Sequence, residues 1–231
     1  MSELVFDCTG ARADLYAAAP TLIFTLRIAE TTGEVVNAIA LRTQIRIEPL
    51  KRRYSDAEAE RLVDLFGERS RWGDTMKPMQ FAMVPQMVPS FTGSTEVELP
   101  VPLTYDFEVA TAKYFHGLDD GEIPFILLFS GSIFLRGETG FSVEQIPWHK
   151  ETYYRLPVFV WRQAMDVHFP NQAWIRLRRE TLDALARFKS RLTLRDWDET
   201  LDALLRQAGE AAPGANGGNH APSRPARESA P

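Results

Sequence analysis

The run Ile123-Pro-Phe-Ile-Leu-Leu-Phe-Ser-Gly-Ser-Ile-Phe-Leu135 constrains this chain more than any other stretch. An almost unbroken apolar segment of this kind suits a strand covered on both faces, which needs partner strands at its sides and other layers above and below. Upstream, Tyr105, Phe107, Val109 and Thr111 alternate with Asp106, Glu108, Ala110 and Ala112, the period-2 pattern of a half-buried strand. Joined through Asp119-Asp-Gly-Glu122, the two stretches are expected to form a hairpin at the middle of the fold.

Alternation recurs along the chain. Leu4, Phe6 and Cys8 open it, and Leu22, Phe24, Leu26 and Ile28 follow before a turn at Thr31-Thr-Gly-Glu34. Leu41, Thr43, Ile45 and Ile47 oppose Arg42, Gln44, Arg46 and Glu48, which defines a sheet with one wet face. An edge strand is expected around residues 79 to 84, another strand at Thr95 to Leu103, whose Pro100 and Pro102 confine it to an edge, and a last one at Phe141 to Gln145. Between strands, Ser55-Asp-Ala-Glu58 reads as a capping box that starts a short helix ending at Gly67.

From Leu156 the period changes to about 3.6. One helix is expected to start near Pro157 and stop at Pro170, a second to carry Leu182, Leu185 and Phe188, and a third Trp197, Leu201, Leu204 and Leu205. The fold class that follows is α+β: an antiparallel β-sandwich of about seven or eight strands with an inserted short helix and C-terminal helices packed on one sheet. Residues 1–206 are expected to form a single domain, with 156–206 its helical part. Residues 207–231 lack large apolar side chains and are expected to be a disordered tail.

Composition bears on function by exclusion. A formal charge of −5 disfavours nucleic-acid binding, which rests on a basic surface. The only cysteine, Cys8, leaves no thiol-rich metal site or internal disulfide, and the four histidines are scattered. The apolar run Ile123–Phe129 is far shorter than a membrane span, and the first residues lack the blocks of a signal peptide, so a cytoplasmic protein without membrane insertion is expected. No dinucleotide fingerprint, phosphate loop, zinc-protease motif or nucleophile elbow occurs, and Ser130-Gly-Ser132 reads as a strand whose glycine admits a close neighbour. No catalytic residue, metal or cofactor is therefore assigned.

Three groups remain as candidates. Asp119, Asp120 and Glu122 are the nearest thing to a carboxylate cluster that could divide acid and base work, although Asp-Gly between strands is first of all a turn signal. Arg71, Trp72 and Asp74, with Met79, Met83 and Met87, offer an irregular segment and adaptable side chains for a partner. Arg176, Arg178 and Arg179 begin a basic stretch that suits an acidic partner.

Several segments together resemble one family: Tyr16-Ala-Ala-Ala-Pro-Thr-Leu, Ile39-Ala-Leu-Arg-Thr-Gln-Ile-Arg-Ile-Glu-Pro, Arg71-Trp-Gly-Asp-Thr, Phe91-Thr-Gly-Ser-Thr-Glu-Val, Thr104-Tyr-Asp-Phe-Glu-Val, Leu118-Asp-Asp-Gly-Glu-Ile-Pro, Leu128-Phe-Ser-Gly and Phe169-Pro-Asn-Gln-Ala-Trp. Over about residues 3 to 206 they look like an uncharacterised actinobacterial domain of unknown function whose genes neighbour those of high-affinity uptake nickel-iron (NiFe) hydrogenases. The resemblance implies a non-catalytic accessory or interaction protein in hydrogenase maturation or assembly, with a hydrogenase subunit or maturation factor as partner and the oligomeric state open. A looser likeness, to a bacterial export chaperone, covers only about 30 residues after Leu156. It leaves a chaperone-like or peptide-binding module as the alternative, beside an enzyme of unrecognised type using the acidic site.

Overall fold

The computed structural model describes residues 2–103, 109–137, 140–170 and 177–210. It divides into two compact units, Met1–Ala173 and Trp174–Pro231. In the first unit β1 (Leu4–Ala13), β2 (Thr21–Glu30) and β3 (Val35–Ile47) precede the helices α1 (Asp56–Arg61), α2 (Val63–Phe66) and α3 (Trp72–Thr75). Then come β4 (Met79–Val88), β5 (Phe91–Thr92), β6 (Ser94–Pro102), α4 (Val109–His116), β7 (Glu122–Gly137), β8 (Gly140–Gln145), β9 (Glu151–Pro157) and α5 (Val158–His168).

Two antiparallel sheets form an α+β sandwich. One has the order β1-β2-β6; the other runs β4-β3-β7-β8, with β5 beside β3 and β9 beside β7. The long apolar run is β7, and it is central as its composition requires: β3 lies along one side, while β9 and β8 share the other, pairing with its first and second halves. Inward residues of both sheets meet in one core. Phe6 stacks on Phe129 with ring centroids 4.2 Å apart, and Phe24 meets Phe125 edge to face at 5.7 Å. Leu22, Leu26, Ile28, Ile39, Ile45 and Leu127 are wholly buried there, each contributing roughly 2 kcal/mol of transfer free energy.

Gly131 explains how β7 can lie so close to β3. Its φ of +137° and the position of a hypothetical Cβ, 2.0 Å from Ala40 O, leave room for no side chain. The expected edge strand is β4, longer than the pattern suggested, and it borders the six-stranded sheet.

The expected hairpin strand before β7 is corrected. Residues 104–108 lie outside the described residues, and from Val109 the chain is helical. Thr111, Tyr114, Phe115 and Leu118 are all buried, a spacing of three and four residues that outweighs the period-2 pattern. A second correction concerns Pro157. Residues Glu151–Pro157 form β9, a strand the sequence reading lacked, and Pro157 is the extended N-cap of α5. That helix lies against β1 and β2, burying Val160, Trp161 and Ala164, and Trp161 stacks on Phe115 of α4 at 5.1 Å.

The second unit contains α6 (Arg179–Arg191) and α7 (Trp197–Gln207), which contact one another. Asp196 caps α7 by accepting from Glu199 N at 2.8 Å. Residues 171–176 and the expected tail from residue 211 onward lie outside the described residues.

Candidate functional site

The capping box foreseen at Ser55 is present. Ser55 Oγ accepts from Glu58 N at 3.1 Å and Glu58 Oε2 accepts from Ser55 N at 2.9 Å. Glu58 does more than cap. Its side chain is 5% exposed, that of Arg52 is 7% exposed, and the two form an ion pair. Asp119 N also donates to Glu58 Oε1 at 2.9 Å, while Arg52 donates to Asp120 O at 2.6 Å and Glu122 O at 2.9 Å. The guanidinium thus spans the carboxylate on one side and the backbone of the turn entering β7 on the other.

Burial by itself raises the pKa of Glu58, but the N–H groups of Ser55 and Asp119 and the Arg52 charge outweigh it and hold the carboxyl below its ordinary value. Arg52 Nε is buried without a hydrogen-bond partner, so the guanidinium gives its outer nitrogens to the turn and leaves the inner one unused. Behind the pair, Tyr54 donates to Pro49 O at 2.7 Å, and its oxygen lies 2.8 Å from that of Tyr114. Burial pushes Tyr54 up to about 12, against a smaller downward pull from its bond with Tyr114.

This framework floors an open cleft of about 760 Å³, lined by Lys51, Arg53, Arg155 and the acidic turn among others. Two of the three acids have structural partners. Asp119 pairs with Arg61 at 2.5 Å, and Asp120 Oδ1 accepts from Gly121 N at 2.7 Å as a turn residue. Glu122 is exposed, and its carbonyl is held by Arg52. Among the described residues no group of three or more His, Cys, Asp and Glu is arranged to hold a metal ion.

The other candidate residues are not gathered at this cleft. Trp72 is buried, donates from Nε1 to Gly67 O at 2.9 Å and packs edge to face on Tyr54 at 5.1 Å, whereas its neighbours Arg71 and Asp74 are exposed. The methionines divide: Met79 packs against the core, while Met83 and Met87 are exposed on β4. Arg178 and Arg179 are exposed at the start of α6, and Arg176 lies outside the described residues.

A model described as a family of unknown function, DUF6084, matches residues 1–213. The chain belongs to that family. Among curated proteins the DUF6084 chain has no match. Among solved structures it is similar to a β-glucosidase from Kluyveromyces marxianus, at 8% identity and a TM-score of 0.26, covering 67% of this chain and 15% of that one. A putative ApaA protein from Bordetella pertussis matches at 14% identity and a TM-score of 0.27, covering 68% of this chain and 95% of that one. A putative late embryogenesis abundant protein matches at 12% identity and 0.30, covering 68% and 72%.

The sequence reading of the DUF6084 chain missed Arg52, Arg53 and Arg155 as cleft residues. Arg52 lies in a loop between a strand and a cap, where nothing local distinguishes a buried guanidinium. Arg155 became placeable only with β9.

Proposed function

We propose that this protein is a non-catalytic interaction protein of the actinobacterial cytoplasm that supports maturation or assembly of a NiFe hydrogenase by binding one of its subunits or maturation factors. The observation that carries the non-catalytic part is the buried Arg52–Glu58 pair. It commits the most buried charged groups of this cleft to holding the 119–122 turn, and Asp119 and Asp120 are likewise engaged by Arg61 and Gly121 N. A carboxylate saturated by such donors is a poor proton carrier. The hydrogenase association rests on the family motifs quoted above, by resemblance. A net charge of −5 favours a protein partner over nucleic acid.

Affinity purification of the tagged chain from its native host, followed by mass spectrometry, tests this reading. Recovery of a hydrogenase subunit or maturation factor, with loss of hydrogenase activity on deletion, is the expected result. Recovery of neither, with activity unchanged, overturns it.

The peptide-binding alternative draws less support. Pro85 on β4 and Pro100 and Pro102 on β6 lie in register with Arg42, Ile23 and Thr21 of their neighbours. A proline nitrogen cannot donate to an added strand, so these two edges resist strand addition. The enzymatic alternative requires the acidic turn, and unchanged complementation by an Asp120→Asn, Glu122→Gln variant removes its basis.

A further inference from the structure

The outer face of the six-stranded sheet has a charge pattern unlike that of the chain as a whole. Pairing places Arg46 beside Ile126 and Tyr153, and Arg42 between Pro85 and Ser130. Arg155 shares that face, two residues along β9 from Tyr153. None of these three guanidinium groups has a hydrogen bond or ion pair among the described residues. The nearby acids are in use: Glu48 pairs with Lys51 at 3.2 Å, and Glu151 accepts from Tyr153 Oη at 2.9 Å. Glu122, at the start of β7, is a further acid on this face among the described residues.

Apolar side chains lie among the cations. Met83, Met87 and Tyr153 are 50%, 61% and 53% exposed, with Lys51 Nζ 4.2 Å from the Tyr153 ring centroid. A depression of about 530 Å³ runs from Met87 and Pro85 across Arg42 to Ser130 and Ser132. Arg42 and Arg46 lie about 13 Å apart along one strand, within the reach of two acids on one short segment.

We infer that this face is the docking surface for an acidic protein segment carrying apolar side chains. The inference rests on the interaction-protein reading and says where and by what chemistry the partner is held. Unpaired arginines attract carboxylates and steer the encounter. Flexible methionines adapt to the apolar side chains between those carboxylates. A nucleic acid also offers anions, but it brings no aliphatic side chains for Met83 and Met87, and the net charge of −5 repels it.

The test uses the full chain with two labelled probes: a short peptide in which glutamates flank leucines, and a single-stranded oligonucleotide. Fluorescence anisotropy is expected to show peptide binding that weakens with salt and falls roughly tenfold in an Arg42→Glu, Arg46→Glu variant, the size expected when repulsion replaces two exposed attractions. Amide shifts on peptide addition are expected along β3, β4 and β7. An Arg187→Glu, Arg191→Glu variant in α6 is expected to bind as the parent does. Equal peptide affinity in parent and sheet variant, loss only in the α6 variant, or tighter binding of the oligonucleotide overturns the inference. Passing the sheet variant through the host purification separates this inference from the reading it rests on. Hydrogenase components recovered by parent and variant alike reject the surface alone, whereas none recovered by the parent rejects the proposed function while the peptide assay still decides the surface.

Discussion

Arg52 and Glu58, six residues apart in sequence, form a buried ion pair that clamps a turn some sixty residues further along the chain. Removing one member of such a pair leaves the other charged and buried. Glu58→Gln is expected to cost about 3 kcal/mol in chemical denaturation. Ser55→Ala, which removes only the cap, is expected to cost about 1 kcal/mol. Equal costs for the two variants mean that Glu58 serves the helix start alone.

The same pair sets an acid limit. Glu58 and Glu30 both sit below their ordinary carboxyl value of 4.5 although burial opposes it. In Glu30 the opposing force is donation from the Thr32 hydroxyl and from the N–H groups of Thr32, Glu3 and Gly33. A folded pKa below the unfolded one adds stability that is complete above the unfolded value and vanishes as pH falls through the folded value. Urea midpoints are therefore expected to stay level from neutrality down to about pH 5 and then fall, with a shallower fall in Glu30→Gln. A midpoint that rises in acid contradicts the assignment.

Tyr54 and Tyr114 predict an asymmetry. Tyr54 has one proton and gives it to Pro49 O, so Tyr114 is the donor between the two hydroxyls. Tyr54→Phe leaves the buried Tyr114 hydroxyl without its acceptor and takes from Pro49 O the shorter of its two donors, the other being Arg52 N at 3.3 Å, and is expected to cost about 2 kcal/mol, against about 1 for Tyr114→Phe. Because burial pushes Tyr54 up to about 12 from 10.0, the neutral phenol is favoured in the fold. Stability is accordingly lost as pH rises above 10.0 toward about 12. Ultraviolet difference titration of the two variants checks which phenol is responsible.

Gly131→Ala forces a methyl group into Ala40 O and is expected to destabilise by about 3 kcal/mol. Gly33→Ala, at φ +87° with open space around it, is expected to cost only about 1 kcal/mol. Thermal melting of the two variants separates close strand approach from backbone conformation alone.

The elements that local physics controls were legible in the sequence. Alternation from Leu41 to Ile47 marks a strand because successive side chains face opposite sides, and Ser55 and Glu58 mark a helix start because the cap closes within one turn. What only the tertiary structure decided depends on partners distant in the chain. Thr111 ends an alternating pattern in sequence, yet it is buried together with Tyr114 and Phe115, which packs on Trp161 of α5, and that shared face belongs to a helix. Tyr153 and Arg155 become a strand because the first half of β7 offers them an open row of donors and acceptors. A guanidinium at Arg52 and a carboxylate at Glu58 look like surface charges in sequence. They became a buried clamp because folding brought the 119–122 backbone within hydrogen-bonding distance, a relationship no local window contains.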